Sequence, residues 1–259
     1  MAVNNHALPS ADVVVEILRL IHLWCEIGAD TYTWRAHQLA EMSRLLNADM
    51  AMSYVMRLSL DPNETHPKVL VYTDSGANDA WKKYTANGDI SKDPVMRRIM
   101  QQFGTDFTAA RREWIADKTW YASDYFKNVA SPANWDHSII SQVGIPDPGV
   151  VDGLSLCRAV GKPAFTEQEI GVVRFMHQEL ARLWRRPDPV GVHTLPPRQR
   201  EVLDGIRRGE TRKAIAGKMS VSVHTVHGYE KALFERADVK SRGELLARLA
   251  KLVRPNLLP

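Results

Sequence analysis

Residues 195–249 read LPPRQREVLDGIRRGETRKAIAGKMSVSVHTVHGYEKALFERADVKSRGELLARL. Four short helical patterns stand in this stretch, separated by turn signals. Val202, Leu203 and Ile206 have helix spacing and stop at Gly209. Ala214, Ile215 and Met219 make a second, shorter apolar face. Ser220-Val221-Ser222 forms a turn, with Ser222 placed to cap the helix that follows. That third helix is expected over 223–236, with Val226, Leu233 and either Tyr229 or Glu230 facing inward. His224, His227 and Lys231 recur at offsets of three and four and so share its outward side. A last helix over 241–253 offers Leu245, Leu246, Leu249 and Leu252 as apolar positions. A short helix, a tight turn and a longer helix with a basic outer stripe is the layout of a helix-turn-helix. The second helix of such a pair fits the major groove of duplex DNA.

Leu195, Pro197, Arg198, Glu201-Val202-Leu203, Gly209, Lys213, Ile215-Ala216, Ser222, Thr225-Val226 and Ser241-Arg242 also follow a known pattern. Through them the segment, about a quarter of the chain, resembles the LuxR-type DNA-binding domain. The resemblance implies that His227 and Lys231 reach base edges, with Gly228 between them. It implies that Lys213, Thr225 and Tyr229 meet phosphates, and that the domain reads a double-stranded operator as a homodimer. Gly228 costs its helix about 1 kcal/mol relative to alanine; close approach of backbone to DNA is one reason for it, simple tolerance another. Pro196, Gln199 and Arg236-Ala237-Asp238 depart from the family pattern. Pro196 stands where a capping threonine is usual, a loss of about 1 kcal/mol if nothing substitutes.

Charge supports the division of labour. Residues 193–259 hold fourteen Lys/Arg against seven Asp/Glu, and the remaining residues twenty against twenty-three. The basic excess therefore belongs to the helix-turn-helix, as a phosphate-binding surface requires. Cys25 and Cys157 are far apart and lack metal-ligand spacing, which fits a reducing cytoplasm better than a disulfide scaffold. No signal peptide is visible, and no apolar run reaches the roughly 18 residues of a membrane span.

The first 184 residues are expected to form a regulatory and dimerising domain, 185–194 a proline-stiffened linker, and 195–259 the DNA-binding domain. Residues 1–9 read as a tail. Helices follow over 10–28, with Val14, Ile17, Leu18, Ile21 and Trp24 on the apolar face, and over 33–46. Strands are expected at 52–60 and 68–73, with a turn at Asp61-Pro62-Asn63. A helix over 79–87 stops before Gly88, and Asp93-Pro94 opens another. An aromatic-rich middle contains a helix over 123–130, followed by strands at 137–143 and 153–160. Thr166 caps a long helix to Trp184, with Glu169 closing a capping box. That helix is apolar beyond one stripe and is a candidate dimer surface. The order points to an α+β domain, an antiparallel sheet with helices on the plan of PAS, GAF and autoinducer-binding domains. An all-α, four-helix helix-turn-helix domain follows it. Sheets of the first kind often hold a small molecule under their covering helices.

Trp81, Tyr84, Asp93-Pro94 and the later Trp114 partly resemble the ligand-contacting residues of autoinducer-binding domains. That resemblance implies that Asp93 accepts from a ligand amide and that a tryptophan donates to a lactone carbonyl. The Tyr-to-Asp spacing agrees; the Trp-to-Tyr spacing is one residue short, and Trp114 lies farther along than the pattern asks. Asp93 reads equally as a helix cap, and the aromatics as ordinary core. No Gly-x-Ser-x-Gly elbow, phosphate loop or metal spacing is present, so no catalytic residue, metal or cofactor is expected, and His137 and His177 read as structural. The chain thus reads as a cytoplasmic, DNA-binding transcription regulator, with a small-molecule effector such as an acyl-homoserine lactone. The alternative is an orphan regulator answering to a protein partner.

Overall fold

The computed structural model describes residues 9–58, 67–87, 93–147, 149–186, 191, 195–250 and 254–258. The expected N-terminal tail up to residue 8, the Asp61-Pro62-Asn63 turn, Gly88, most of the proline-rich linker and Leu252 lie outside them. The chain divides into two compact units, Met1–Arg185 with Arg254–Pro259, and Arg186–Val253.

In the first unit, α1 (Ala11–Glu26) and α2 (Thr31–Leu46) precede β1 (Met50–Arg57) and β2 (Lys68–Ser75). Then come α3 (Asp79–Asn87), α4 (Pro94–Gln101), β3 (Phe107–Ala110), α5 (Arg111–Trp114) and α6 (Asp117–Ala122). A π turn at Phe126–Ala130, β4 (His137–Gly144), β5 (Val150–Arg158) and α7 (Glu167–Trp184) complete it. All pairings are antiparallel, in the order β2-β1-β5-β4-β3. The α+β architecture read from the sequence is present. The segment 107–122 corrects it: the sequence reading has no element there, and a short strand and two short helices occupy it. The expected helix over 123–130 is largely the π turn, crowded by Tyr121, Phe126 and Trp120, whose rings stack at 5.0 and 5.6 Å. Leu18, read as core, is 46% exposed; Leu20 takes the inward place.

The alternation of side chains along a strand gives the sheet two different faces. On β1, Met50, Met52, Tyr54 and Met56 enter an aromatic layer with α3, α4 and α6. Ala51 joins the layer under α1, α2 and α7, with Ile139, Leu154 and Leu156 from the neighbouring strands. The excess apolar surface of α7 is consumed here: Ile170, Val173, Met176, Leu180 and Trp184 are buried, and Phe175 and Leu183 pack against the same core. Gly153 faces Tyr54 across β5 and β1. A Cβ at residue 153 would stand 1.9 Å from the Tyr54 ring, so the tyrosine lies flat on backbone that only glycine leaves open.

The helical layer also holds a buried polar string. Arg35 on α2 donates to Ser53 at 2.5 Å and pairs with Asp152 on β5. The other Asp152 oxygen meets His177 Nε2 at 3.0 Å, and His177 Nδ1 lies 2.8 Å from Ser141 Oγ. Ser141 in turn meets Thr108 at 2.7 Å. Ser, His and Asp in sequence invite a hydrolytic reading, but Ser141, His177 and Asp152 are 0, 0 and 1% exposed. No substrate reaches them, and the Arg35 guanidinium occupies the carboxylate. The string joins β1, β3, β4, β5, α2 and α7 through polar groups that burial would otherwise penalise.

Burial alone would push the Asp152 carboxyl up; Arg35 and His177 reverse this and hold it below its ordinary range. Its contribution to stability is therefore present above the ordinary carboxylate range and is lost as pH falls through the depressed value. Asp152→Ala is expected to destabilise the protein by about 3–5 kcal/mol, because it strands a buried guanidinium. Chemical denaturation followed by circular dichroism reads the loss. A change no larger than the roughly 0.5 kcal/mol of a surface substitution would show the pair to be dispensable.

Candidate nucleic-acid interface

The second unit contains α8 (Pro197–Arg207), α9 (Arg212–Met219), α10 (Val223–Ala237) and α11 (Arg242–Ala250). Val202, Leu203, Ile206, Ile215, Ala216, Met219, Val226, Leu233, Leu245 and Leu249 form its core. Leu246 stays out of it, 36% exposed. Pro196 precedes α8 without a side-chain cap, as its ring dictates. Ser220 adopts the left-handed conformation at the end of α9. Ser222 then caps α10, its Oγ accepting from Thr225 N–H at 3.0 Å. These two serines set the turn between α9 and α10.

The choice between Tyr229 and Glu230 falls to Glu230, which is 0% exposed, while Tyr229 is half-buried. Arg212 on α9 donates to one carboxylate oxygen and Arg242 on α11 to the other. Arg242 also donates to the Glu210 carbonyl at 2.7 Å. One carboxylate thus fixes α9, α10 and α11 to each other. Sequence alone missed this, since a lone glutamate at an inward position is uninterpretable until two arginines from other helices converge on it.

With Glu230 inward, the opposite side of α10 is free. His224, His227 and Lys231 are exposed on it, and a Cβ on Gly228 would meet no atom within 4 Å. Lys231 stands 3.8 Å from Glu235, both side chains over two-thirds exposed, a pair of little energetic weight that a stronger anion displaces. Thr225 is half-buried beside the α10 N-terminus, where free backbone N–H groups favour phosphate. On α9 the neighbours Arg212 and Lys213 diverge: Arg212 turns to Glu230, and Lys213 is exposed.

The first unit carries a separate aromatic core. Trp81 and Tyr84 lie 5.5 Å apart, and Tyr84 meets Tyr125 at 5.7 Å. Asp93, 7% exposed, is the helix cap that the sequence offers as one reading of it. One oxygen caps α4 through Val95 N–H at 2.7 Å; the other accepts from Tyr125 Oη at 2.9 Å. Trp81 Nε1 donates to Tyr72 Oη at 3.1 Å. Trp114 stands apart from this group, paired with Phe107 at 5.2 Å on the edge of the same core. Sequence did not point to Tyr54, Tyr125 or Trp135. Tyr54 Oη and Trp135 Nε1 are buried without a hydrogen-bond partner among the described residues. Among those residues, no group of His, Cys, Asp and Glu could hold a metal, and no helix is long and apolar enough to cross a membrane.

Residues 193–249 match the family described as bacterial regulatory proteins, luxR family. No curated protein matches the chain. Among solved structures, Escherichia coli SdiA is 18% identical, covering 94% of this chain and 98% of its own at a TM-score of 0.45. The N-acylhomoserine lactone dependent factor CepR2 of Burkholderia cenocepacia is 16% identical over 64% of this chain and 92% of its own, TM-score 0.45. The ligand-binding domain of VqsR from Pseudomonas aeruginosa is 12% identical over 67% and 93%, TM-score 0.42. Likenesses this distant carry no argument about ligand.

Burial pushes the Asp93 carboxyl up to about 6, although Met96 and Val95 N–H and the Tyr125 hydroxyl favour the ionised form. The neutral form is thus the one the fold prefers. Its stabilising contribution is full below the ordinary carboxylate range and is lost as pH rises through about 6. Asparagine keeps the cap and cannot ionise. Asp93→Asn is therefore expected to raise the unfolding free energy by about 1–3 kcal/mol at pH 7.5, a gain that shrinks toward pH 4.5. Thermal melts across that range check it; a lower melting temperature at pH 7.5 would contradict it.

Proposed function

We propose that the protein is a transcription regulator that binds duplex DNA through α10 as a homodimer. The exposed stripe His224-His227-Lys231 on a helix whose opposite side is pinned through Glu230 is the observation that carries the reading. An α-helix fits the major groove, where Lys231 donates to guanine O6 or N7 and a neutral His227 donates or accepts. Lys213, Thr225 and Tyr229 contact phosphates and set register, and Gly228 lets backbone approach closely. A single helix of this kind spans few base pairs. Two copies reading half-sites one turn apart supply the missing affinity and sequence information.

We further propose that the aromatic core opens to take a small, largely apolar effector with hydrogen-bonding groups. The supporting observation is the pair of buried donors without a partner among the described residues, Tyr54 Oη and Trp135 Nε1, in the same core as the Asp93 carboxyl that Val95 and Tyr125 already satisfy. Such groups are costly unless a partner arrives. Two donors beside one acceptor suit a molecule with carbonyl oxygens and an amide, a chemistry that acyl-homoserine lactones share with other amides. Trp81 is buried in the same core, and Tyr84 and Trp114 pack against it.

A duplex selected from a randomised pool, titrated in fluorescence anisotropy, tests the first reading. Lys231→Ala is expected to narrow the preference for that duplex over random DNA by about 1–3 kcal/mol. Lys213→Ala is expected to weaken both equally and to reduce the salt slope by about 1. Equal losses on both duplexes for Lys231→Ala would remove α10 from base reading. Mass spectrometry of small molecules retained through purification tests the second reading. An effector retained by the parent and released by Asp93→Ala supports it; retention unaltered by that change removes Asp93 from the site.

A further inference from the structure

The last residues of the chain belong to the first unit, although the helices just before them belong to the second. Arg254 Nη1 donates to the Trp184 carbonyl at 2.9 Å, and Trp184 Nε1 donates to the Pro255 carbonyl at 3.1 Å. Trp34 Nε1 donates to the Asn256 carbonyl at 2.7 Å. Asn256 N–H donates to the Gly28 carbonyl, and its side-chain amide to the Ala29 carbonyl, each at 2.9 Å. Leu257 is 3% exposed in the core under α1, α2 and α7. A Cβ on Gly28 would stand 2.6 Å from Pro255 Cα, so the segment lies flush on bare backbone. Two tryptophan indoles, an asparagine read by backbone on both its N–H and its side chain, and a slot for leucine amount to a peptide-recognition site.

We propose that the surface formed by the end of α1, the start of α2 and the end of α7 is a docking site for the chain's own C-terminal peptide, and that this docking restrains the DNA-binding unit. The second unit leaves the first at Arg185 and rejoins it at Arg254. Docked, it is held at two points; undocked, at one. The described residues 254–258 have no helix or strand of their own, and a segment held by a few hydrogen bonds opens at lower cost than a packed element. Covalent attachment gives it a millimolar effective concentration, so even a weak peptide site stays filled. A unit attached at two points has fewer orientations open to it than one attached at a single point, and seating two copies of α10 on two half-sites selects among orientations. The clip therefore holds DNA affinity down. This last step rests on the reading of the second unit as a DNA binder; the dock itself does not.

The test compares the full chain with one ending at Val253, using the synthetic peptide Arg-Pro-Asn-Leu-Leu-Pro as probe. The shortened chain is expected to bind the peptide saturably, shifting the Trp34 and Trp184 indole N–H resonances toward their full-chain positions. The full chain, its site occupied, binds at least about tenfold more weakly. Relaxation of backbone amides in 195–249 is expected to report faster tumbling after truncation, and duplex affinity to rise about fivefold or more. Leu257→Lys, which puts a charge in the apolar slot without shortening the chain, is expected to act like the truncation. Indole resonances identical in the two chains, with no peptide binding, would overturn the dock. Unchanged tumbling and duplex affinity in a chain that does bind the peptide would overturn the restraint. If neither chain binds any duplex, the DNA-binding reading fails, while the peptide and tumbling measurements still decide the dock.

Discussion

The ion pair of Arg35 and Asp152, extended through His177 to Ser141, is the constraint around which the first unit is arranged. Two charges out of water are tolerable only when each finds its partners in a fixed geometry. Arg35 comes from a helix, Asp152 from the middle of the sheet and His177 from the last long helix. Those three elements can therefore pack in few other ways. The surrounding apolar side chains supply the driving force for burial, and the polar string selects among the arrangements that burial alone would permit.

The second unit repeats the device on a smaller scale. Glu230 and its two arginines set the rotation of α10 about its own axis. That rotation determines which side chains face outward, and hence what α10 presents to a duplex. Charge enters twice, inward as an architectural clamp and outward as an exposed basic stripe. Arg212 and Lys213 show how little sequence distance separates the two uses.

Legibility followed the range of the interactions. The helices of the second unit were readable because spacing, Ser222 and Gly209 act within a turn or two of chain. Asp93 with Pro94 and Thr166 with Glu169 were readable for the same reason. The segment 107–122 was not, because its short pieces owe their form to distant partners: β3 to β4, and Arg111 to Asp117, Asp136 and His137. The aromatic core was half readable. Trp81, Tyr84 and Asp93 stand close in the sequence, whereas Tyr54, Tyr125 and Trp135 arrive from elements with no local signal. The inward place of Glu230 and the docking of Asn256 against α1 and α2 depend on contacts that no period or motif encodes.

The Tyr54 ring rests on Gly153, and two neighbouring strands share one parcel of space there. Neither position is independently free to drift. A lineage that acquired a methyl group at 153 would have to surrender the phenol at 54, and with it the hydroxyl that reaches the aromatic layer. The pair would register as a joint change, with the smallest residue of the sheet acting as custodian of the large ring beside it.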